Sequence, residues 1–320
     1  MKCFRNFNVA MLVLLLTFGS AVMFGASAAF RADFTEDELK LIEEHVYGGL
    51  PNDEEIFVRN GYVTSYNSAT RTPNWSAYHI TTDYRKTPSR KGRFKSFRID
   101  PDIQGEAKDR EYVGLLRTRG YARGHLAPYA VMGGDRDGDG QYAEYHRGSS
   151  DVGDVDEART VYQANYMSNI VPQHHEGFNG WLPQVGSPNI NGLWYDLERW
   201  IQDNLVIEEG NEVWVIAGCV FGIGEHEKVG PNKDIVVPPA FYKIVVVEDA
   251  ESDIPFVLAY LFPHQRVRHG HLDAFLTSVD NIEALTGMDF FSELDEEAEE
   301  YLESTDTWEF ATQRYIMNEE

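Results

Sequence analysis

The hydrophobic and polar positions of this chain form several short runs that are typical of β-strands. β-Branched and aromatic residues are concentrated in these runs, and turn residues separate one run from the next. The runs predicted as strands cover 61–66, 75–81, 161–167, 212–220, 241–248 and 255–262. Together they supply the predicted sheet.

A smaller part of the chain has apolar residues at helical spacing. They recur at that spacing from about 192 to 204, which predicts the clearest helix. Thr35 and Glu38 are spaced as a capping box and predict an earlier helix start. A further helix is predicted to begin near Ser278, and beyond Leu294 the acidic chain is either a helix or a frayed tail.

Three stretches lack a regular pattern. The segment 84–98 is predicted as loop and edge strand, 133–157 as an exposed loop rich in Gly, Asp and Ser, and 171–190 as irregular. The sequence contains no internal repeat and no low-complexity linker. We therefore predict one α+β domain with a mostly antiparallel core.

The N-terminus has the pattern of a secretory signal peptide. Lys2 and Arg5 precede an apolar run at 9–25, and the small residues 26–28 provide a cleavage site after Ala28. A single membrane anchor is the alternative, although the run is short for one. No other stretch is apolar enough to span a bilayer, so we predict a mature protein that is secreted or periplasmic and has no membrane segment.

The cysteines add one constraint. Cys3 lies in the predicted signal peptide, which leaves Cys219 as the only mature cysteine and excludes an intrachain disulfide. Cys219 lies in the apolar run 213–221, where a buried strand thiol is favoured over a nucleophile.

Charge is distributed unevenly over a very acidic chain. The formal net charge is -24, which argues against broad non-specific binding to nucleic acid. Nevertheless, 12 of the 28 Lys and Arg residues fall between Arg85 and Arg123. The pattern predicts either a local cationic binding surface or an ordinary solvated face.

The motif Y-A-R-G-H-L-A-P at 121–128 ends this basic stretch and contains the first catalytic candidates. His125 can accept a proton from water near neutral pH. Gly124 allows a close approach of the backbone to a ligand. Arg123 can bind a phosphate through two parallel hydrogen bonds.

A metal ligand is expected downstream, near the predicted helix at 192–204. An asparagine close to a helix start offers a neutral oxygen to a hard cation, and waters complete the shell that Mg²⁺ prefers. A strand with His125, a second strand and a helix with an asparagine would form a one-metal phosphodiesterase site.

The order of the motifs resembles the DNA/RNA non-specific endonucleases with the DRGH motif, which belong to the ββα-metal nucleases and include endonuclease G-like enzymes. The matching stretches are N-W-S-A-Y-H-I-T at 74–81, R-G-H-L-A-P at 123–128, S-N-I-V-P-Q at 168–173, G-x-W-x-x-L-E at 192–198, G-C-V-F at 218–221, V-P-P-A-F-Y-K at 237–243 and S-V-D-N-I-E-A-L-T-G-M-D-F-F at 278–291. The resemblance spans about 45–294. It implies a ββα-metal nuclease fold, an antiparallel sheet core with flanking helices.

The resemblance also implies roles for individual residues. His125 would be the general base, and Arg123 would stabilise the charge that builds up in the transition state. Glu198 would help to order the water shell of one Mg²⁺, with Mn²⁺ as the alternative ion. A second basic residue, Lys95 or Arg93, would assist at the phosphate. Two further residues, Arg98 and Asn169, are expected to bind substrate.

This chain departs from the family pattern at two positions. Ala122 replaces the Asp of D-R-G-H. In the family that Asp is neither the base nor a metal ligand, so its loss is expected to affect the local geometry more than the reaction. The family's metal asparagine aligns with Ile190, so the ligand must be a neighbour. Asn191 is favoured because it adjoins the helix, Asn179 is close behind in a similar local motif, and Asn189 is the third candidate.

An aspartate-rich segment raises a separate possibility of calcium binding. Asp135, Asp137, Asp139 and Gln141 occupy alternate positions with a glycine at the sixth, as in an EF-hand loop. His146 stands where a bidentate glutamate is expected at position twelve. The segment is either a structural Ca²⁺ site or an acidic surface loop.

The sequence therefore predicts a signal peptide at 1–28, an endonuclease domain at 29–294 and an acidic tail at 295–320. The predicted activity is hydrolysis of phosphodiester bonds in DNA and RNA, independent of the sugar. Two alternatives are a catalytically weak or silent, calcium-stabilised nucleic-acid-binding protein on the same fold and a phosphodiesterase of small nucleotides.

Overall fold

A computed structural model defines the fold over residues 34–52, 54–143, 155–182, 190–248 and 255–304, so the predicted signal peptide lies outside the described residues. The strands are β1 (Ile56–Arg59), β2 (Tyr62–Asn67), β3 (Thr72–Ile80), β4 (Tyr121–His125), β5 (Ile170–His174), β6 (Trp181–Leu182), β7 (Ile190–Asn191), β8 (Glu212–Val220), β9 (Lys228–Val229), β10 (Ile235–Val236), β11 (Ala240–Glu248), β12 (Phe256–Pro263) and β13 (Leu276–Thr277). The helices are α1 (Glu36–His45), α2 (Leu115–Arg119), α3 (Val155–Ala164), α4 (Leu193–Trp200), which continues as a π-helix over Ile201–Glu208, α5 (Val279–Thr286) and α6 (Glu296–Ser304).

One large sheet forms the centre of the described fold. Its seven strands follow the order β1-β2-β3-β8-β11-β12-β13, and every neighbouring pair is antiparallel. The prediction of a mixed fold with an antiparallel core is therefore confirmed. Cys219 is buried in β8, as its apolar surroundings predicted, and burial raises the pKa of its thiol well above the usual value.

The sheet is covered on both faces. Since successive side chains of a strand point to opposite sides, each strand contributes to both cores. On β11, Phe241 joins a core with Trp194 and Leu197 of α4. Its neighbour Tyr242 joins the opposite core, which includes Ile282 of α5 and Leu302 of α6. The result is a three-layer arrangement in which α4 lies on one face and α5 and α6 on the other.

The predicted strand at 161–167 is wrong. Residues Val155–Ala164 form α3, and the strand comes only afterwards, at Ile170–His174. The local sequence T-V-Y-Q-A is rich in β-favouring residues, but Ala158, Val161 and Ala164 lie on one helical face and are buried. Burial of this face outweighs the weak intrinsic preference of the segment.

Two other irregular stretches also differ from expectation. The segment 171–190 contains most of β5, then a distorted π-helical turn at His175–Asn179. The basic segment 84–98 contains the 3-10 helix Gly92–Lys95, and its sheet-like pairing among the described residues is a single bridge between Arg98 and Tyr166. The predicted edge strand in that segment is therefore not formed.

The helix ends follow the sequence signals closely. Thr35 and Glu38 form both bonds of the capping box at the start of α1. The Ser278 side chain accepts a hydrogen bond from the Asn281 backbone N–H at the start of α5. Across the described ranges, no helix combines the length and apolar character needed to cross a membrane.

Candidate active site

The predicted catalytic motif begins on β4, which forms a two-stranded sheet with β5. β4 pairs antiparallel with β5, with Gly124 opposite Val171 and His125 opposite Ile170. A β-carbon on residue 124 would lie 2.0 Å from Oε1 of Gln173 and 2.3 Å from its Cδ. Any larger residue at position 124 would therefore force the buried Gln173 side chain to move.

His125 is held by a single asparagine at the end of α3. Its Nε2 lies 3.2 Å from Oδ1 of Asn165, a fully buried residue whose Nδ2 donates to the Phe94 carbonyl at 2.9 Å. Because the amide nitrogen is used in that bond, the atom facing His125 is an acceptor. Nε2 of His125 must carry a proton, which leaves the Nδ1 lone pair to act as the base when the ring is neutral.

Arg90 shares the same acceptor. Its Nη2 donates to Oδ1 of Asn165 at 3.0 Å, and its guanidinium carbon lies 5.5 Å from the Phe97 ring centre and 5.0 Å from that of Tyr129. This cation lies close to the imidazole, since both groups meet on one oxygen. Arg90 is thus the arginine that the structure places beside His125.

The surroundings keep His125 neutral. Burial is the main cause that lowers its pKa, the positive charge of Arg90 lowers it further, and the hydrogen bond to Asn165 acts in the opposite direction. The pKa falls from 6.5 to about 3. At neutral pH the ring is therefore in the form that can accept a proton.

Sequence reasoning missed both Arg90 and Asn165. Arg90 lies in the basic segment that was identified, and Asn165 lies just before the S-N-I-V-P-Q motif. Nothing in the linear sequence shows that two residues 35 and 40 positions from His125 meet on its ring.

Arg123, the residue expected to bind phosphate, is already paired. Its Nε lies 2.6 Å from Oδ1 of Asp109, and its Nη2 donates to the Asp109 carbonyl at 2.7 Å. The guanidinium carbon also lies 5.4 Å from the Phe97 ring centre and 5.6 Å from that of Tyr112. A phosphate would have to compete with this carboxylate for Arg123.

The other predicted basic residues lie along the same segment. Arg93 and Lys95 are exposed on the 3-10 helix Gly92–Lys95. Arg98 is partly buried, and it donates to the carbonyls of Tyr162 at 3.0 Å and Arg93 at 2.9 Å. Arg98 therefore anchors the segment to α3.

Asn169, expected to bind substrate, is completely buried. Its Oδ1 accepts from the Ala127 N–H at 2.9 Å, and its Nδ2 donates to the carbonyls of Ala127 at 2.8 Å and Ala164 at 3.0 Å. These bonds fix the chain just after β4 against the end of α3. The amide positions His125 indirectly and does not reach the surface.

The candidate metal asparagines lie in different surroundings. Nδ2 of Asn179 donates to Oε1 of Gln173, the residue that packs on Gly124. Nδ2 of Asn191 donates instead to Oδ1 of Asp196 at 3.3 Å, and Arg268 binds the Asn191 carbonyl. Asn189 lies outside the described residues. Of the two that are described, Asn179 is the one connected to the strand that carries His125.

The residues around Asn179 fit a hydrated divalent cation. Because Asn179 uses its nitrogen in the bond to Gln173, its Oδ1 remains the atom that can bind a hard cation. Nε2 of Gln173 is buried and lacks a hydrogen-bond partner. An orphaned donor in such a position is suited to an ordered water or a phosphate oxygen.

Glu198 forms a buried ion pair with Lys243. Nζ of Lys243 lies 3.1 Å from Oε1 of Glu198 and 3.9 Å from the Trp194 ring centre. Burial raises the pKa of Glu198, and the charge of Lys243 opposes this shift. Lys243 thus holds Glu198 of α4 in place, with 14% of the Glu198 side chain still exposed, and any role in ordering water depends on the atom not held by Lys243.

The aspartate-rich segment has the shape of a compact loop. Carboxylate oxygens of Asp135, Asp137 and Asp139 lie within 4.8 Å of one another. The two Asp135 oxygens accept from the backbone N–H groups of Gly138 and Gly140, and Asp139 accepts from that of Gln141 at 2.8 Å. Position 146 lies outside the described residues, and calcium binding stays a prediction.

These elements define a ββα arrangement, two antiparallel strands and a helix, on one face of the sheet. A model of the DNA/RNA non-specific endonuclease family matches residues 44–297. The chain belongs to this family.

Similar proteins support this assignment. The chain is 25% identical to the nuclease of Serratia marcescens over 296 residues, which covers 90% of this chain and 95% of that protein. It is 26% identical to the mitochondrial nuclease EXOG of Danio rerio, with 89% and 77% coverage, and 26% identical to a nuclease of Nostoc sp., with 80% coverage of each. The EndoG/EndoGI complex contains a similar structure, with a TM-score of 0.57, 22% identity and coverage of 80% of this chain and 91% of that one.

Proposed function

We propose that this protein is an exported, metal-dependent endonuclease that hydrolyses phosphodiester bonds in both DNA and RNA. Family membership and the names of the similar proteins support nuclease activity. The observation that carries the mechanism is the position of His125, which Asn165 fixes on β4, the strand that Gln173 connects to Asn179. Burial and the charge of Arg90 lower the pKa of this ring, which favours its neutral form.

In the proposed reaction, a water molecule attacks the phosphorus atom and His125 removes its proton. The proton moves to Nδ1, because Nε2 already donates to Asn165. A new P–O bond forms, the bond from phosphorus to the 3′ oxygen breaks, and solvent supplies a proton to the departing oxygen. The imidazolium then releases its proton to solvent.

The charge on the phosphate is met by cationic groups and by the metal. Asn179, with Glu198 acting through water, would hold one Mg²⁺ or Mn²⁺, which polarises the phosphate and stabilises the leaving oxygen when bound. Arg90 is the cation beside the base, and the exposed Arg93 and Lys95 lie on the same segment. Arg123 can contribute if the phosphate displaces Asp109.

Export is the part of the proposal that rests on sequence alone. It is supported by the charged start, the apolar run at 9–25 and the small residues before Ala29. These residues lie outside the described part of the chain.

The direct test is digestion of plasmid DNA and RNA with Mg²⁺, in the presence and absence of EDTA. We expect His125→Ala to reduce the rate by about 10²–10⁴-fold, the usual contribution of a general base. His226→Ala is the matched control, because His226 is a partly exposed histidine that bonds the nearby Gly222 carbonyl in another turn.

Undiminished cutting by His125→Ala would contradict the mechanism. Binding of DNA by the wild type without turnover at any divalent ion would favour the silent binding protein. Turnover of a dinucleotide as fast as that of a long polymer would favour the small-nucleotide phosphodiesterase.

A further inference from the structure

A second positively charged stretch lies outside the basic segment that precedes R-G-H. Residues 264–271 read H-Q-R-V-R-H-G-H and contain two arginines, three histidines and no acidic residue. They form the loop between β12 and the 3-10 helix Leu272–Phe275. In a chain with a net charge of -24, such a stretch is a candidate for contact with an anion.

This loop touches the segment that carries Asn179. A β-carbon on Gly177 would lie 2.5 Å from the Arg266 carbonyl oxygen and 2.6 Å from the Arg268 nitrogen, so the two backbones are in direct contact. Gly177 also has a φ of +73°, which disfavours any other residue there. The loop is thus adjacent to the proposed metal asparagine, two residues further on.

Arg268 fixes the loop to the start of α4. Its Nη1 lies 2.7 Å from Oδ2 of Asp196 and donates to the Asn191 carbonyl at 2.9 Å. On the other side of the loop, Nε2 of His264 accepts a hydrogen bond from the backbone of His174, at the end of β5, at 2.8 Å. The loop is therefore held in one position relative to the candidate active site.

Between this loop and α4 lies a pocket of about 450 Å³. Its wall is mostly apolar, and Gln265 and His269 add polar groups. The lining residues are Leu193, Pro263, Gln265, Val267, His269 and Phe275. An apolar and aromatic wall suits the face of a nucleobase, while an amide and an imidazole can bond to its edge.

We propose that this pocket is a subsite that holds one nucleobase of the substrate strand, and that Arg266, between the lining residues Gln265 and Val267 in the chain, contacts a phosphate. The proposal rests on the proposed function, since it assumes a nucleic-acid substrate. Arg266 is paired with Glu176 at 2.9 Å, but the two side chains are 61% and 43% exposed, so a phosphate can replace the carboxylate. Because every base has an apolar face, such a subsite accepts any nucleotide.

The experiment measures binding of a single-stranded oligonucleotide without turnover, in the full-length His125→Ala protein. Val267→Glu places a charge at the rim of the pocket, where Val267 is 57% exposed and contributes little to folding. Ile223→Glu is the matched control, because Ile223 is fully exposed in a turn outside the pocket. Thermal melting checks that both variants remain folded.

We expect Val267→Glu to weaken binding by about tenfold, the scale of one lost base contact, and Ile223→Glu by less than about twofold. A second probe is an oligonucleotide of equal length with abasic residues throughout. It should bind more weakly than the normal strand to the His125→Ala protein, and Val267→Glu should remove most of that difference.

Equal losses for the two glutamate variants would overturn the subsite, as would equal binding of the normal and abasic strands. These outcomes are separate from failure of the proposed function, which is judged by turnover in the wild type. A wild type that cuts nucleic acid but binds abasic strands equally well keeps its proposed activity and lacks this subsite.

Discussion

At the scale of single residues, the candidate site depends on Asn165, whose side-chain oxygen accepts hydrogen bonds from two residues. Arg90 and His125 both donate to Oδ1 of Asn165, so the imidazole has a fixed proton on Nε2 and a positive neighbour. The resemblance to the nucleases with the DRGH motif identified His125, but it did not predict that His125 and Arg90 share Asn165. The contact depends on packing of the basic segment against α3.

The charge of Arg90 leads to a prediction about pH dependence. Arg90 lowers the pKa of His125, so Arg90→Gln should raise that pKa from about 3 towards 6.5, by a part only because burial is the larger cause. Since the base must be neutral, activity of the variant should decline at a higher pH than that of the wild type as the solution is acidified. The measurement is kcat/KM against pH.

Two variants serve as controls for this profile. Arg90→Lys keeps a positive charge and should leave the acid limb close to that of the wild type. Arg85→Gln removes an arginine of the same segment that pairs with Asp203 at 2.9 Å, and it should not move the limb. If Arg90→Gln has the wild-type acid limb, Arg90 does not influence the base.

At the scale of elements, the pairing of β4 with β5 places His125 near Gln173, the residue that bonds to Asn179. Gln173 packs against Gly124 and accepts a hydrogen bond from Asn179, so it connects the strand of His125 to Asn179. The downstream strands β8, β11 and β12 were well predicted from sequence, because long apolar runs fit a sheet buried on both faces. The strand β5 was not, because proline and polar residues interrupt its short run.

The Gly124 contact predicts a large effect from one methyl group. In Gly124→Ala, the new β-carbon would overlap Gln173 and force the buried side chain away. We expect a loss of about 1–3 kcal/mol in the free energy of unfolding, together with a loss of activity. Gly222→Ala is the control, because nothing lies within 4 Å of a β-carbon at that position.

Thermal or denaturant unfolding measures this effect. If Gly124→Ala unfolds like Gly222→Ala and retains full activity, the hairpin is not as tightly packed as the structure indicates. A variant that keeps its stability but loses activity would place the effect on the site alone.

At the scale of the whole molecule, a very acidic chain can still bind nucleic acid, because its basic and acidic residues are concentrated in different parts of the sequence. The stretch 85–123, which contains 12 of the 28 Lys and Arg residues, and the loop 264–271 carry basic residues, while acidic residues are concentrated elsewhere, including 293–303. Sequence predicted the first of these cationic regions, the fold class and the ordered motifs. It could not choose the metal ligand, because the sequence does not show that Asn179, unlike Asn191, bonds to Gln173 of β5.

The proposed metal site depends on which asparagine binds the ion, Asn179 or Asn191. Asn179 connects through Gln173 to the strand of His125, whereas Asn191 belongs to the network of Asp196 and Arg268. An asparagine that binds the metal is needed for charge stabilisation in the transition state, while one that only supports a loop affects stability.

The most direct test is the Mg²⁺-dependent rate of plasmid cleavage in Asn179→Ala and Asn191→Ala, measured over a range of Mg²⁺ concentrations. We expect Asn179→Ala to lose on the order of a hundredfold or more in rate. We expect Asn191→Ala to stay within a few-fold of the wild type, because its side chain makes one ordinary hydrogen bond. Loss of Mg²⁺-dependent cleavage in Asn191→Ala, with full activity in Asn179→Ala, would contradict the assignment of Asn179 as the metal ligand.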